Sequence, residues 1–235
     1  MKDIIRIFAF LTALSMALVM LAGCGGKNAD DSSLADLEIG DVINYGSYPQ
    51  STSEPEPIRW RMVDKDGGFG LFVAEDILDC HAFNDENRDT SYADSDLRKW
   101  LCKDFINTAF SREERKIIRP EAVFDYDNKD REDNKDKIFV LSRDEAEKYF
   151  PEESGRTASP TNYAVGRGVI PFDVSTRYGE WWLRDSGTDG SHALCVTIKG
   201  YVPIDGHEVD YAYTGVRPAM WLRLGNWPKG HGPTF

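Results

Sequence analysis

The sequence holds little of what builds a metal centre or a covalent enzyme, with four His and four Cys among 235 residues. No Cys-x-x-Cys occurs, and no two of His81, His192, His207 and His231 stand at the i, i+4 spacing that puts two ligands on one helix face. A Gly-x-Ser-x-Gly elbow and a Gly-rich phosphate loop are both missing, which removes the strained nucleophile and the phosphate cradle as starting points. No cofactor is expected. Positive charge is also short: 28 Lys and Arg face 40 Asp and Glu, for a net charge of −12. Phosphate backbones and anionic headgroups are bound by basic patches, so nucleic acid is not an expected partner. There is no internal repeat.

One long apolar run is present, at the start. It extends from Ile7 to Ala22, is broken only by Thr12 and Ser15, and follows Lys2 and Arg6. A basic start and a short apolar stretch ending in small residues form the export-signal pattern, and the run is short for a membrane span of about 20 residues. It closes on Leu21-Ala22-Gly23-Cys24, which resembles the lipobox of bacterial lipoproteins. That resemblance implies a signal over residues 1–23, cleavage before Cys24, and diacylglyceryl and acyl (palmitate-type) chains on Cys24. At about 0.8 kcal/mol per buried methylene, two chains hold a protein stably on a bilayer where one does not. Residues 24–36 are small and polar and read as a flexible tether. A single domain is expected over 37–227, followed by a tail over 228–235. Lipidation of Cys24 leaves Cys80, Cys102 and Cys195, read as buried thiols, with one disulfide as the alternative.

Period and punctuation give the elements. Ile39, Val42 and Tyr45 alternate imperfectly, with Gly40 and Gly46 bracketing a short strand, and Ile58-Arg59-Trp60-Arg61-Met62-Val63 with Gly70 to Ala74 reads as a hairpin around Asp66-Gly67-Gly68. Leu97, Trp100, Leu101 and Phe105 have helical spacing behind Ser95. Ser111 with Glu114 and Ser142 with Glu145 are capping boxes. Ile138 to Leu141 reads as a buried strand, Pro160 as the first turn of a short helix, and Glu180–Arg184, Ala193–Ile198, Val209–Tyr213 and Val216–Leu222 as strands. Strands, then helices, then strands indicate an α+β fold.

The loudest residues are Trp181, Trp182, Arg184, Arg217 and Trp221. Strand aromatics bury large area, so they read first as core, with each Arg held by a carboxylate or carbonyl. Trp181 and Trp182 must face opposite sides, and an exposed Trp182 would be a stacking platform. Loops on a rigid scaffold carry recognition, which points to residues 160–179 and 199–206. The candidate ligand-binding residues are therefore Trp182, Tyr178, Tyr201 and His207. Asp125, Asp127 and Asp130 offer a weaker alternative as calcium ligands, but Lys129 and the lack of a following Gly break the EF-hand pattern. A solvated acidic loop is the better reading.

Several segments in order carry a family likeness: Gly46-Ser47-Tyr48-Pro49-Gln50, Ile58 to Val63, Leu97-Arg98-Lys99-Trp100-Leu101, Trp181-Trp182-Leu183-Arg184 and Gly215-Val216-Arg217-Pro218-Ala219-Met220-Trp221-Leu222. The chain resembles an uncharacterised domain family of Firmicutes lipoproteins and surface proteins. Its last two motifs are similar to the closing strands of C-type-lectin-like folds, including relatives of formylglycine-generating enzymes. The likeness implies a C-type-lectin-like fold: twisted antiparallel sheets, a few short helices and long irregular loops. The family usually has Asn where Cys102 stands. The Glu-Pro-Asn and Trp-Asn-Asp signatures of calcium-dependent sugar binding are missing, as is the paired C-terminal Cys of the copper oxidases. The expectation is a membrane-anchored extracytoplasmic module, non-catalytic, binding a glycan, peptide or surface protein. The alternatives are an enzyme whose site is assembled only by the fold and a scaffold piece of a surface complex.

Overall fold

Alternating burial starts the fold. Ile58, Trp60 and Met62 are buried while Arg59 is exposed between them, the pattern of a strand with one face on a core. In the computed structural model, which describes residues 37–123, 135–172, 177–225 and 232–234, this segment lies in β2 (Pro55–Asp66), between β1 (Val42–Pro49) and β3 (Phe69–Ala74). The described residues all fall in the unit Ser33–Phe235. Asp66 pairs with Phe69 across Gly67 and Gly68, both at positive φ, so the expected hairpin closes through a two-residue turn that needs glycine. Gly46 sits at φ 65° where β1 slips register, and a Cβ there would meet the Phe110 ring and the Ala109 carbonyl.

The remaining strands are short: β4 (Asp79–Cys80), β5 (Ile118–Arg119), β6 (Glu121–Ala122), β7 (Lys135–Asp136), β8 (Trp181–Ser186), β9 (His192–Val196), β10 (His207–Glu208), β11 (Gly215–Val216) and β12 (Ala219–Arg223). One sheet runs β1-β2-β3-β12-β5, a second runs β10-β9-β8-β11-β4, and β6 pairs with β7. All pairs are antiparallel except β11 with β8. Helices are few and short: α1 (Asp96–Trp100) continues through a wide turn at Leu101–Phe105 into α2 (Ile106–Ala109), and α3 (Arg143–Tyr149), α4 (Glu153–Arg156) and α5 (Asn162–Arg167) follow. The fold is α+β, mostly strands in curled antiparallel sheets.

Both predicted capping boxes form. Ser142 Oγ accepts from the Glu145 amide at 3.1 Å while Glu145 accepts from the Ser142 amide at 3.0 Å. Ser111 and Glu114 make the same exchange ahead of a single tight turn. Four expectations are corrected. Ile138–Leu141 is buried but is not a strand. Because β5 is two residues long and pairs with Trp221 and Leu222, Ala219 is left to exchange both backbone bonds with Phe139 alone. Pro160 precedes the helix, bridged in extended form to Ile77, and Thr161 caps α5 through Ala164. Val209–Tyr213 is a turn region, since only Val209 reaches the core and no strand pairs with Tyr211 or Tyr213. Val216–Leu222 is two strands in two sheets, divided at Arg217-Pro218. The expected tail is also tied down at one point, where Thr234 pairs with Asn44.

Arg217 bolts the crossing between sheets. Its guanidinium donates to the Ala74 carbonyl at 2.8 Å and to the Arg156 carbonyl at 3.3 Å, lying over Trp181 and Phe150. Burial drives it down to about 10, so it still carries its proton at neutral pH. Arg184 donates to both Glu145 oxygens at 2.5 and 2.6 Å and to the Val140 carbonyl, which joins β8 to the capping box of α3. Cys80, Cys102 and Cys195 are free thiols; Cys80 and Cys195 are buried and Cys102 is half-buried. Burial pushes Cys80 and Cys102 up to about 12, which keeps them protonated and poorly nucleophilic.

Candidate functional site

Among the described residues few large apolar side chains are exposed, and most of them share one place. Ile170 and Phe172 come from the loop after α5, Tyr201 from the turn after β9, and Tyr211 and Tyr213 from the approach to β11. With Glu180 they line a cleft of about 540 Å³, within the range of small-molecule sites. Phe172 is 76% exposed and Tyr213 51%.

Each wall is held by backbone geometry. Glu180 directly precedes β8, and its carbonyl accepts from the Gly215 amide at 2.8 Å, fixing the end of β8 beside β11. Tyr213 stands two residues before that bond, so the same pairing sets its height. The Tyr201 turn is closed by the Thr197 amide donating to the Tyr201 carbonyl and the Gly200 amide donating to Thr197. Gly200 has φ 86° and packs on the Glu153 backbone with no room for a Cβ. Arg156 Nε donates to the Gly200 carbonyl at 2.6 Å. A hydrogen-bonded framework thus sets where these side chains stand.

The polar centre is a carboxylate and an imidazole. His207 Nε2 and Glu180 Oε2 are 2.8 Å apart, each side chain 29% exposed. The His207 ring lies 4.7 Å from Tyr211 and 6.0 Å from Trp182, and Tyr211 meets Tyr213 edge-on at 5.5 Å. The other Glu180 oxygen has no partner among the described residues. Lys199 is the cationic side chain of the lining.

The candidates from sequence are distributed as follows. Tyr201 lines the cleft and His207 braces it. Tyr178 is half-buried in the adjoining hollow, which shares Phe172, Ile198 and Lys199 with the cleft. Trp182 is corrected: it is 0% exposed and cannot be a surface platform. β8 is an interior strand of its sheet and both of its faces are covered, so Trp181 and Trp182 are core on opposite sides. Trp182 Nε1 donates to the His81 carbonyl at 2.8 Å, and its ring packs edge-on against Phe83 and His207. It supports the cleft from below. Cys24 and the alternative calcium ligands Asp125, Asp127 and Asp130 lie outside the described residues. Among the described residues no cluster of three His, Cys, Asp or Glu could hold a metal.

Glu180, Tyr211, Tyr213, Ile170 and Phe172 were not singled out from sequence. A signal was present: Tyr211-Ala212-Tyr213 alternates between Asp210 and Thr214-Gly215 with no other apolar partner, and Ile170-Pro171-Phe172 is apolar within a Gly-flanked loop. Two other polar groups invite comparison. Ser191, His192 and Asp189 cluster, but Ser191 and Asp189 both bond His192 Nδ1, at 3.2 and 2.8 Å. A base must take a hydroxyl proton on one nitrogen while the other is oriented, so this is a turn. Asp79 is buried and accepts from Tyr48 Oη at 2.5 Å, the Cys80 amide and Arg167 Nε. Its oxygens are spent on structure.

Residues 68–224 match a domain family described as a domain of unknown function (DUF6273), and the chain belongs to that family. The matched segment includes the whole second sheet and the cleft, while β1 and β2 precede it. No curated protein and no solved structure matches the chain. Among the described residues no helix is long and apolar enough to cross a membrane.

Proposed function

Starting from a family without an assigned activity, we propose that this chain is a lipid-anchored extracytoplasmic binding module, non-catalytic, whose ligand enters the aromatic cleft. The single observation that carries the reading is the gathering of Phe172, Tyr201, Tyr211 and Tyr213 around the Glu180–His207 pair. Exposed apolar side chains scattered singly need no explanation, but a cluster over a concave surface marks a binding site. The anchor rests on the signal-like run before Cys24 and on the polar tether after it. The C-type-lectin-like assignment belongs with this proposal. It is supported by two short twisted sheets joined at Arg217-Pro218, with long loops gathered beside the second.

A purely scaffolding role would leave the cleft empty. A catalytic role would need a nucleophile or a second acid beside His207, and the imidazole here bonds a carboxylate and stacks on Tyr211. Two experiments test the proposal. Labelling cells with a fatty-acid analogue should tag the protein and should fail with Cys24→Ser. Affinity capture from envelope extracts and glycan arrays should give a ligand that Tyr213→Ala releases while the variant stays folded. A ligand insensitive to Tyr213 and Tyr211 would place binding elsewhere.

A further inference from the structure

Resting on the reading of the cleft as the ligand site, we propose that it takes an organic cation: a small substituted ammonium compound seated on the tyrosine rings with its charge toward Glu180. Glu180 has one oxygen against His207 Nε2 at 2.8 Å and a second without a partner among the described residues. That second oxygen reaches water rather than being buried unpaired, and a cation entering the cleft takes the place of that water beside a fixed negative charge. The rings of Phe172, Tyr201, Tyr211 and Tyr213 line the same cleft and are exposed. Ring faces are electron-rich, and an ammonium within about 6 Å of a ring centroid is attracted by them, more so as water is displaced. The net charge of −12 raises the local concentration of cations further.

The lining fits a sugar less well. A neutral sugar presents a ring of hydroxyls; the tyrosine hydroxyls, Lys199 and Glu180 can meet some of them, but the described lining has no Asn, Gln or Arg to pair with two at once. Thr197 Oγ1 is already spent on the Tyr201 carbonyl at 3.0 Å. Lys199 is the one group that opposes a cation. Its side chain is exposed, so the ammonium can stay in water while the stem covers apolar surface, and its removal should strengthen binding.

The test uses the full chain in a non-ionic detergent, with calorimetry as the readout. The probes are choline and its neutral isostere 3,3-dimethylbutanol. Choline should bind and the isostere should bind at least tenfold more weakly. Glu180→Gln should remove that preference at an unchanged melting temperature. Tyr211→Ala and Tyr213→Ala should each weaken choline by about 3- to 30-fold, from the strength of one cation–ring contact. Lys199→Gln should tighten it and make salt weaken it more steeply, because a repulsion that salt also screens is gone. Equal binding of the two probes, or a folded Glu180→Gln protein with choline affinity intact, overturns the cation reading and leaves the cleft as a site. A neutral disaccharide that occupies the cleft and is not displaced by choline also overturns it. If none of these probes binds and the tyrosine variants change nothing, the cleft reading falls as well.

Discussion

Two aromatic regions of this protein contrast. The Trp181-Trp182-Leu183-Arg184 segment is buried on both faces of β8, and every polar atom of its tryptophans has a backbone partner. The Tyr201, Tyr211 and Tyr213 region lies on turns beside an open cleft, and the Tyr211 ring touches Tyr213 and His207. Residue type is similar in the two; what differs is whether a strand carries them into a covered sheet. Aromatic density on an interior strand is structure, whereas aromatic density on a turn with no pairing partner is available for recognition.

Substitutions should separate the two regions, and the largest effect belongs to the first. Trp182→Ala should cost about 3–5 kcal/mol, the range for a large aromatic deleted from a packed core, read by urea titration. Such a loss would lower the His207 ring as well, so binding should fail together with stability. Gly46→Ala should follow at about 1–2 kcal/mol, the cost of holding a non-glycine residue in the left-handed region. The new Cβ would also overlap the Ala109 carbonyl and the Phe110 ring, which adds about 1–3 kcal/mol of overpacking. Glu145→Gln should be smaller, on the order of 1–3 kcal/mol, because it strips the buried Arg184 guanidinium of its charged partner. Tyr211→Ala should change stability by no more than about 0.5 kcal/mol while reducing ligand capture. A large stability loss there would make the tyrosines structural and erase the contrast.

The smallest effect concerns pH. Burial lowers the His81 pKa below its ordinary value, with Asp79 opposing. The unfolded chain therefore binds that proton more readily. Stability from this residue is complete above the ordinary histidine range and declines as pH falls through it. The melting temperature should drop modestly between pH 7 and 5, and His81→Gln should lose that component. An unchanged slope would mean that His81 binds its proton equally well in the folded and unfolded chain.

Local signals in the sequence translated well wherever a single element decided the outcome. The β2–β3 hairpin, the helical spacing from Leu97 to Phe105, and the Ser142–Glu145 box were legible because each is specified within a few residues. Arg184 and Arg217 were legible in kind, since an Arg on an aromatic strand needs acceptors, but their partners Glu145 and Ala74 are distant in sequence. The cleft was half legible. Loop position selected Tyr201 and the residue that braces the site, His207. It missed Glu180 because a residue just before a strand shows no sign of which loop will face it. Val209–Tyr213 misled for a related reason: alternation gives a strand only if another strand lies beside it, and here none does.

The crossing at Arg217-Pro218 has a consequence for how the protein is made. β12 is an interior strand of the first sheet and β11 an interior strand of the second, yet both lie within residues 215–223. A growing chain that has not reached Gly215 has neither sheet closed, and its early strands wait for partners from the far end. Such long-range pairing folds slowly. The proposed lipid anchor would require the chain to cross a membrane unfolded, and a strand order that delays closure until residues 215–223 are available would suit that passage.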